Sequence, residues 1–303
     1  MNRIKINLQE GLKFLSDIPD NSVDLILTDP PYITSRDSGM DRWVDHVKKQ
    51  DKEESADIKT EEDWEAYKTD EEWTEWFDKG EVSLKNREKK LSKLKKDYLK
   101  YGSIYGKKYA VKTDYGSWDS EFTMDKLRLF VRHFYRILKD GGTCIIFFDL
   151  WKLSYLKEEM EAEKFKQLRF IEWIKTNPQP INSKRNYLTN CREIALLGVK
   201  KGKPTFNSSY DNAIYDNAIY KHPIYSGKDR FHPTQKSLNL FEDLIKKHSN
   251  EGDLVLDCFL GSGTTVVAAN NTNRSFIGCE LDEKYFNQTT ERLSNRDIEF
   301  EQD

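Results

Sequence analysis

Residues 25–32 read LILTDPPY, an apolar run that ends in an acid, two prolines and an aromatic ring. The apolar run is typical of a buried strand. Two consecutive prolines fix φ, remove two backbone donors and disfavour helix in the residues before them, so the strand must end here. Open α/β sheets bind ligands beyond the carboxyl ends of their strands. We therefore predict that this stiff loop holds Asp29 and Tyr32 in fixed directions at a ligand site.

The same kind of apolar run recurs along the chain. Runs typical of buried strands in a parallel sheet occupy residues 23–27, 144–148, 194–199, 254–256 and 275–279. Amphipathic helices are predicted between them, at residues 124–138 and 237–248. Strands that alternate with helices predict the α/β class, with a doubly wound and mostly parallel sheet.

Residues 35–112 interrupt this alternation. Their first half is acidic with interleaved aromatic residues, and their second half is strongly basic. Both halves have a helix-forming composition, so we predict a charged helical insertion within a single domain of residues 1–303. A solvated surface is the simpler role for the insertion. The alternative is that its basic part contacts phosphate or that its aromatic residues form a partner interface.

Composition limits the classes of function. The formal net charge is −3, so any binding to nucleic acid needs basic residues concentrated on one face. No run approaches the length of a membrane span and the first residues lack an apolar signal segment, so we expect a soluble cytoplasmic protein with no membrane partner. Metal-ligand spacing is absent, and we expect no metal site and buried thiols at Cys144, Cys191, Cys258 and Cys279.

A second motif, DLVLDCFLGSGTT, lies at residues 253–265. A strand ends at Asp257, and Gly261 and Gly263 let the backbone turn tightly and approach a ligand before a helix begins. The next strand ends in Glu280, 23 residues after Asp257, where a carboxylate can accept both hydroxyls of a ribose. A carboxylate at this place implies an adenosine-bearing ligand with a free ribose. No Walker-type lysine follows the loop, so a ligand with a triphosphate is not favoured.

Three motifs together resemble a family. TDPPY at 28–32, FHPTQKS at 231–237 and DCFLGSGTT at 257–265 resemble the S-adenosylmethionine-dependent DNA amino-methyltransferases of the β group, in which the catalytic motif precedes the cofactor motif. The resemblance covers most of the chain outside residues 35–112 and 203–230. It implies a Rossmann-like class I methyltransferase fold, S-adenosylmethionine as cofactor and duplex DNA as substrate. A homodimer and a cognate restriction endonuclease are partners compatible with this family.

The resemblance also implies roles for individual residues. It implies catalytic roles for Asp29, Pro30, Pro31 and Tyr32. The carboxylate of Asp29 and the carbonyl of Pro30 would accept both hydrogens of an exocyclic amine, and Tyr32 would stack on a base swung out of the duplex. The expected cofactor contacts are Asn7, where the family usually has an acid, and Asp29, Thr234, Lys236, Asp257, Phe259, Gly261, Ser262, Gly263, Thr264 and Glu280. The expected DNA contacts are Asn177, Lys184 and Arg185, with residues 203–230 as the target-recognition segment.

Several readings of the function stay open. An Asp at the first position of the tetrapeptide favours the N6 amine of adenine by resemblance, and cytosine N4 is the alternative. A third hypothesis is a DNA-binding or partner-binding subunit without catalysis, against which the intact Asp29, Tyr32 and Glu280 argue. Methylation of RNA or protein is a weaker fourth hypothesis, because related enzymes of those kinds usually begin the tetrapeptide with Asn.

Overall fold

The computed structural model describes residues 3–32, 59–68, 91–96, 98–99, 122–178, 190–208, 217–225, 227, 230–232 and 235–302. The chain divides into two compact units, one made of Met1–Ile33 with Tyr115–Asp303 and the other of Thr34–Asp114. The second unit corresponds to the segment that interrupts the strand and helix alternation. Within the described ranges, no helix is both long enough and apolar enough to cross a bilayer.

A single sheet organises the first unit. Its nine strands in the described part of the chain are β1 (Ile4–Leu8), β2 (Val23–Thr28), β3 (Leu138–Phe148), β4 (Lys166–Lys175), β5 (Arg192–Val199), β6 (Ile219–His222), β7 (Leu254–Asp257), β8 (Ser275–Glu280) and β9 (Glu301–Gln302). Their order is β6-β4-β5-β3-β2-β7-β8-β1-β9. Neighbouring strands are parallel except where β5 pairs with β3 and with β4. The predicted doubly wound, mostly parallel sheet is confirmed.

The direction of β5 differs from the prediction. Residues 194–199 do form a strand, but it runs antiparallel to both of its neighbours. A continuous apolar run indicates burial on both faces and carries no information about strand direction. The sequence pattern therefore identified the strand without its orientation.

Helices cover both faces of the sheet. They are α1 (Gly11–Asp17), α3 (Met124–Ile137), α4 (Leu153–Ala162), α5 (Leu238–His248), α6 (Thr264–Asn271) and α7 (Glu283–Ser294), with α2 (Glu61–Tyr67) in the second unit. Apolar residues of α1, α3 and α4 form one core cluster with the sheet, and those of α5, α6 and α7 form another. The predicted helix at 124–138 ends one residue earlier, and Ser237 is the N-cap of α5. Both helices present their apolar stripes to the sheet, as amphipathic helices do.

The chain reverses its winding direction between β2 and β7. These two strands are hydrogen-bonded neighbours, with Leu25 beside Val255 and Ile26 beside Leu256. From β2 the next strand of the sheet in sequence, β3, lies on one side, whereas from β7 the chain continues through α6 to β8 on the other side. A crevice forms at such a switch point, beyond the carboxyl ends of the two strands. The residues that follow β2 and β7 therefore face a shared ligand site.

The described part of the second unit is helical. Thr60 and Asp63 form a capping box at the start of α2, since each side chain accepts a hydrogen bond from the other residue's backbone N–H. Trp64 is buried against Leu94, and the ring of Tyr67 stacks on that of Tyr98 at 4.8 Å. Two of the aromatic residues that interleave the acidic segment, Trp64 and Tyr67, thus belong to a small core within this unit.

Candidate active site

A buried carboxylate joins β2 to β7 at the switch point. Asp257 accepts hydrogen bonds from the hydroxyl of Thr28 at 2.6 Å, the hydroxyl of Thr265 at 2.6 Å and the backbone N–H of Phe259 at 3.0 Å. Burial raises the pKa of Asp257, and these donors partly oppose that rise. Because its partners are protein groups from β2, the loop after β7 and α6, Asp257 fixes the loops on both sides of the crevice. Its predicted contact with the cofactor stays a prediction.

Hydrogen bonds from α7 hold the glycine loop that follows β7. Gly261 and Gly263 have φ values of 51° and 70°, in a region that residues other than glycine rarely adopt. Thr289 donates from its hydroxyl to the carbonyl of Gly261 at 2.8 Å, and Arg292 donates to the carbonyl of Ser262 at 2.6 Å. With these carbonyls bound by α7, the loop's position at the end of β7 is set independently of a ligand.

Glu280 lies at the end of β8, beside this loop. One carboxylate oxygen accepts from the backbone N–H of Gly261 at 2.7 Å. The other accepts from the N–H groups of Leu281 and Asp282, each at 2.9 Å. Burial raises the pKa of Glu280, against these three hydrogen bonds. An ionised carboxylate has about four lone-pair sites, so Glu280 keeps capacity for a ribose hydroxyl while it holds the glycine loop.

Asn7 supplies a second acceptor at the same edge of the sheet. It belongs to β1, where Asn7 pairs with Cys279 and the next residue, Leu8, pairs with Glu280. The side-chain oxygen of Asn7 is buried and has no hydrogen-bond partner among the described residues. A buried acceptor without a partner is costly, which fits an oxygen reserved for a ligand donor such as the amine of adenine. The acceptors at this end of the crevice, Glu280 and Asn7, therefore fit an adenosine-bearing cofactor.

Other residues predicted to contact the cofactor have protein partners. The hydroxyls of Ser262 and Thr264 are buried and 3.0 Å apart. The ring of Phe259 lies 4.7 Å from that of Phe130 and 5.5 Å from that of Phe122, so Phe259 also belongs to the core around α3. Thr234 lies outside the described residues. Their contacts with a cofactor stay predictions.

Asp29 is the first residue beyond β2. Its Oδ2 atom accepts from the Nζ atom of Lys236 at 2.8 Å, and its Oδ1 atom is buried without a hydrogen-bond partner among the described residues. Burial raises the pKa of Asp29 to about 6, and the nearby ammonium of Lys236 limits the rise. Pro30 is buried, which makes the loop after Asp29 rigid. One oxygen of this carboxylate is therefore bound by Lys236, and the other is a buried acceptor whose hydrogen-bonding capacity is unused.

Tyr32 closes the other side of the proline loop. Its ring meets that of Phe148, at the end of β3, edge to face at 6.2 Å. The Nζ atom of Lys236 lies 5.6 Å from the centre of the Tyr32 ring. Burial raises the pKa of Tyr32, so its hydroxyl stays protonated at neutral pH. The ring is thus fixed by aromatic and cationic neighbours rather than by its hydroxyl.

The sequence analysis did not identify two residues near Asp29, Glu193 and Lys175. Lys236 also donates to Oε2 of Glu193 at 2.6 Å, and the Nζ atom of Lys175 lies 2.6 Å from Oε1 of Glu193. Glu193 stands near the start of the apolar strand β5, and Lys175 is the last residue of β4. A charged residue inside the residue pattern of a buried strand is the signal that marks Glu193, since unpaired charges are rarely buried.

The predicted DNA contacts fall partly outside the described residues. Lys184 and Arg185 lie there. The side chain of Asn177 accepts from the backbone N–H of Ile224 at 2.6 Å and donates to its carbonyl at 3.2 Å, so it anchors the chain after β6. That strand, β6, belongs to the predicted recognition segment at 203–230. Contact of these residues with DNA stays a prediction.

Fold and site together define a class of protein: a Rossmann-like α/β protein with a nucleotide-type glycine loop and, at its switch point, a carboxylate with one unpaired, buried oxygen. The sequence profile of the DNA methylase family of the N6 and N4 type matches residues 23–291. The chain therefore belongs to this family of S-adenosylmethionine-dependent DNA amino-methyltransferases, which confirms the family resemblance and the cofactor that it implied.

Individual relatives agree with this assignment. The chain is 32% identical over 200 residues to the type II methyltransferase M2.DpnII of Streptococcus pneumoniae, a match of 60% of this chain and 73% of that protein. It is 32% identical over 208 residues to the type II methyltransferase M.HpaI of Haemophilus parainfluenzae, covering 62% and 66%. The crystal structure of an M1.HpyAVI–SAM complex is similar with a TM-score of 0.56 at 26% identity, covering 96% of this chain and 100% of that chain. The cytosine-N4-specific PvuII DNA methyltransferase shares the fold, with a TM-score of 0.61 at 15% identity over 99% and 89%.

Proposed function

We propose that this protein transfers a methyl group from S-adenosylmethionine to the N6 amine of adenine in duplex DNA. The observation that supports the proposal is the Oδ1 atom of Asp29, a buried acceptor without a hydrogen-bond partner among the described residues, which lies beside the proline loop and across the switch point from the cofactor loop. A base that enters this crevice meets an acceptor whose hydrogen bond no described protein group makes.

The chemistry needs the exocyclic amine to be oriented and its lone pair to be freed. The bound cofactor supplies a methyl group on a sulfonium, which is already activated for transfer. Asp29 accepts one amine hydrogen at Oδ1, and the carbonyl of Pro30 accepts the other. Both acceptors favour a pyramidal nitrogen whose lone pair points at the methyl group, and fixed geometry then supplies much of the rate.

The cofactor residues act at the other end of the crevice. Glu280 accepts from a ribose hydroxyl while it holds Gly261, and Asn7 accepts from the adenine amine of the cofactor. Gly261 and Gly263 allow close approach of the cofactor to the backbone. The other expected cofactor contacts are Asp29, Thr234, Lys236, Asp257, Phe259, Ser262 and Thr264.

The target base must leave the duplex to reach Asp29, at a cost of about a few kcal/mol. Tyr32 offers its ring for stacking, which is worth about 1–3 kcal/mol per base. Asn177, Lys184 and Arg185 are the proposed phosphate and base contacts, and residues 203–230 are the proposed target-recognition segment. A homodimer and a partner endonuclease are compatible with this function.

The test is transfer of a labelled methyl group from S-adenosylmethionine to unmethylated genomic DNA, followed by analysis of the product nucleosides. We expect label in N6-methyladenine at a short recurrent sequence. Label in N4-methylcytosine would instead establish the alternative base, and label only in RNA or protein would overturn the proposal.

The variant Asp29→Ala tests the catalytic residue. It should abolish transfer and keep cofactor affinity within about tenfold, or roughly 1.4 kcal/mol. Asp20→Ala, which removes an exposed carboxylate paired with Arg136, is the matched control.

A further inference from the structure

We propose that Lys236 and Glu193 are positioning residues: Glu193 holds Lys236, and Lys236 binds one oxygen of Asp29 so that the other oxygen receives the amine of the target base. This role rests on the proposed function, because it concerns the geometry of the same carboxylate. Lys236 is among the cofactor contacts that the family resemblance implies, but in this proposal it acts through Asp29, with which its ammonium pairs, and Glu193 acts through Lys236.

The ammonium of Lys236 is enclosed by parts of the chain that are distant in sequence. Its side chain is only 7% exposed. It donates to Asp29 after β2 and to Glu193 in β5, at 2.8 and 2.6 Å. The rings of Tyr32 and Phe147 lie 5.6 and 5.4 Å from it. A lysine whose charge is shared between two carboxylates and two aromatic rings has little freedom to change its position.

Glu193 is fixed in turn from both sides. Oε2 accepts from Lys236, and Oε1 pairs with Lys175 at 2.6 Å. Trp173, on the same strand as Lys175, is buried, and its ring lies 5.4 Å from the Lys175 ammonium. The four charges therefore alternate in sign from Asp29 to Lys175, which is the arrangement in which buried ions stabilise one another. The network begins at the catalytic loop and ends at the β4–β5 pair.

This network distinguishes the two oxygens of Asp29. Oδ2 is bound by Lys236, and Oδ1 has no hydrogen-bond partner in the described ranges. Without Lys236, the carboxylate plane would be free to turn about the Cβ–Cγ bond, and its acceptor lone pairs would not point in one fixed direction. With it, one acceptor direction is selected before the base arrives, and a misplacement of about 1 Å at such a group can reduce the rate on the order of 10²-fold.

The charges around Asp29 give the two residues opposite effects on its ionisation. Lys236 favours the carboxylate, whereas Glu193 and Asp257 oppose it, and burial opposes it most. Tyr32 is the other titratable neighbour, and it stays neutral because burial raises its pKa. Removal of the Lys236 charge should therefore raise the pKa of Asp29, and removal of the Glu193 charge should lower it.

The test compares Lys236→Met and Glu193→Gln with wild type. Single-turnover methylation measures the chemical step, calorimetry measures affinity for S-adenosylmethionine, and NMR of ¹³C-labelled aspartate measures the titration of Asp29. Lys139→Met is the matched control, because Lys139 pairs with Asp24 at 2.8 Å near the opposite end of β2.

We expect Lys236→Met to slow transfer on the order of 10²-fold with cofactor affinity within about threefold. The titration of Asp29 should move to higher pH in Lys236→Met and to lower pH in Glu193→Gln.

Four results would overturn the proposal. They are a wild-type rate in Lys236→Met, a loss of cofactor affinity equal to the loss of rate, titration shifts in the same direction in both variants, and no shift in either variant. If Lys236→Met does not fold, the isosteric Glu193→Gln carries the test through its rate and its titration shift. In the double variant, Glu193→Gln should add no further loss, and an additional tenfold loss would show that Glu193 acts independently of Lys236. If wild type labels no DNA, the proposed function fails, while the NMR shifts still test the pairing.

Discussion

The ionisation of Asp29 predicts the direction in which the rate of methyl transfer changes with pH. The hydrogen-bond acceptor at the target amine is the ionised carboxylate, and burial raises its pKa to about 6. We expect the rate of transfer to rise with pH through about 6 and to level off above it, when measured under single-turnover conditions between about pH 5 and pH 8. A rate independent of pH over this range would show that Asp29 does not titrate there.

The same raised pKa affects stability. Because the folded protein holds the proton of Asp29 more tightly than the unfolded chain does, the contribution of Asp29 to the free energy of unfolding falls as the pH increases from the unfolded pKa towards about 6.

Glu280 should control affinity for the cofactor. Its two oxygens accept three backbone N–H groups in addition to the expected ribose hydroxyls. In Glu280→Gln, an amide hydrogen would face one of these donors, so both the loop and the ribose contact would be weakened. We expect S-adenosylmethionine to bind at least about tenfold more weakly by calorimetry, or about 1.4 kcal/mol. Glu283→Gln, on the exposed first turn of α7, is the control, and equal affinities in the two variants would remove Glu280 from the ribose role.

At the scale of elements, the glycine loop depends on its contact with α7. A Cβ atom on Gly263 would lie 2.5 Å from Cγ2 of Thr289, and its φ of 70° is unfavourable for alanine. Gly252 has a φ of 84°, but a Cβ atom there would have no neighbour within 4 Å, so Gly252→Ala reports the backbone strain alone. We expect Gly263→Ala to lose more unfolding free energy in urea than Gly252→Ala, by about 1–3 kcal/mol. Thr289→Ser removes the clashing methyl group and should restore part of this loss, and no difference between the two alanine variants would contradict the contact.

Elements that form from local sequence were predictable. β2, β7, β8 and α3 follow from short apolar patterns, and Glu280 follows from its spacing within one strand–helix–strand unit. The approach of Glu193 to the Lys236–Asp29 pair was not predictable in this way, because it depends on only β3 lying between β2 and β5. Strand order and strand direction are set by the packing of the whole sheet, so the sequence patterns left both the orientation of β5 and the role of Glu193 undetermined.

At the scale of the whole molecule, the site is assembled from distant parts of the chain. Asp257 joins Thr28 across 229 residues, and Lys236 joins Glu193 across 43. β1 lies between β8 and β9, so the earliest strand of the chain is paired with the last two. Cofactor and base therefore meet at a crevice that exists only when the sheet is complete, and any ligand that binds there stabilises the entire fold by mass action.

This pairing of early strands with late ones has a consequence during synthesis. β1 and β2 leave the ribosome before β7 and β8, and at about 5–20 residues per second these partners follow on the order of ten to fifty seconds later. During that interval the nascent chain carries apolar strand edges without their final neighbours, which are sites of aggregation. We expect a chain stopped after Asn250 to be less soluble on expression than residues 1–303 and to depend more on chaperones. A soluble, protease-resistant fragment would show that the early strands find other partners while translation continues.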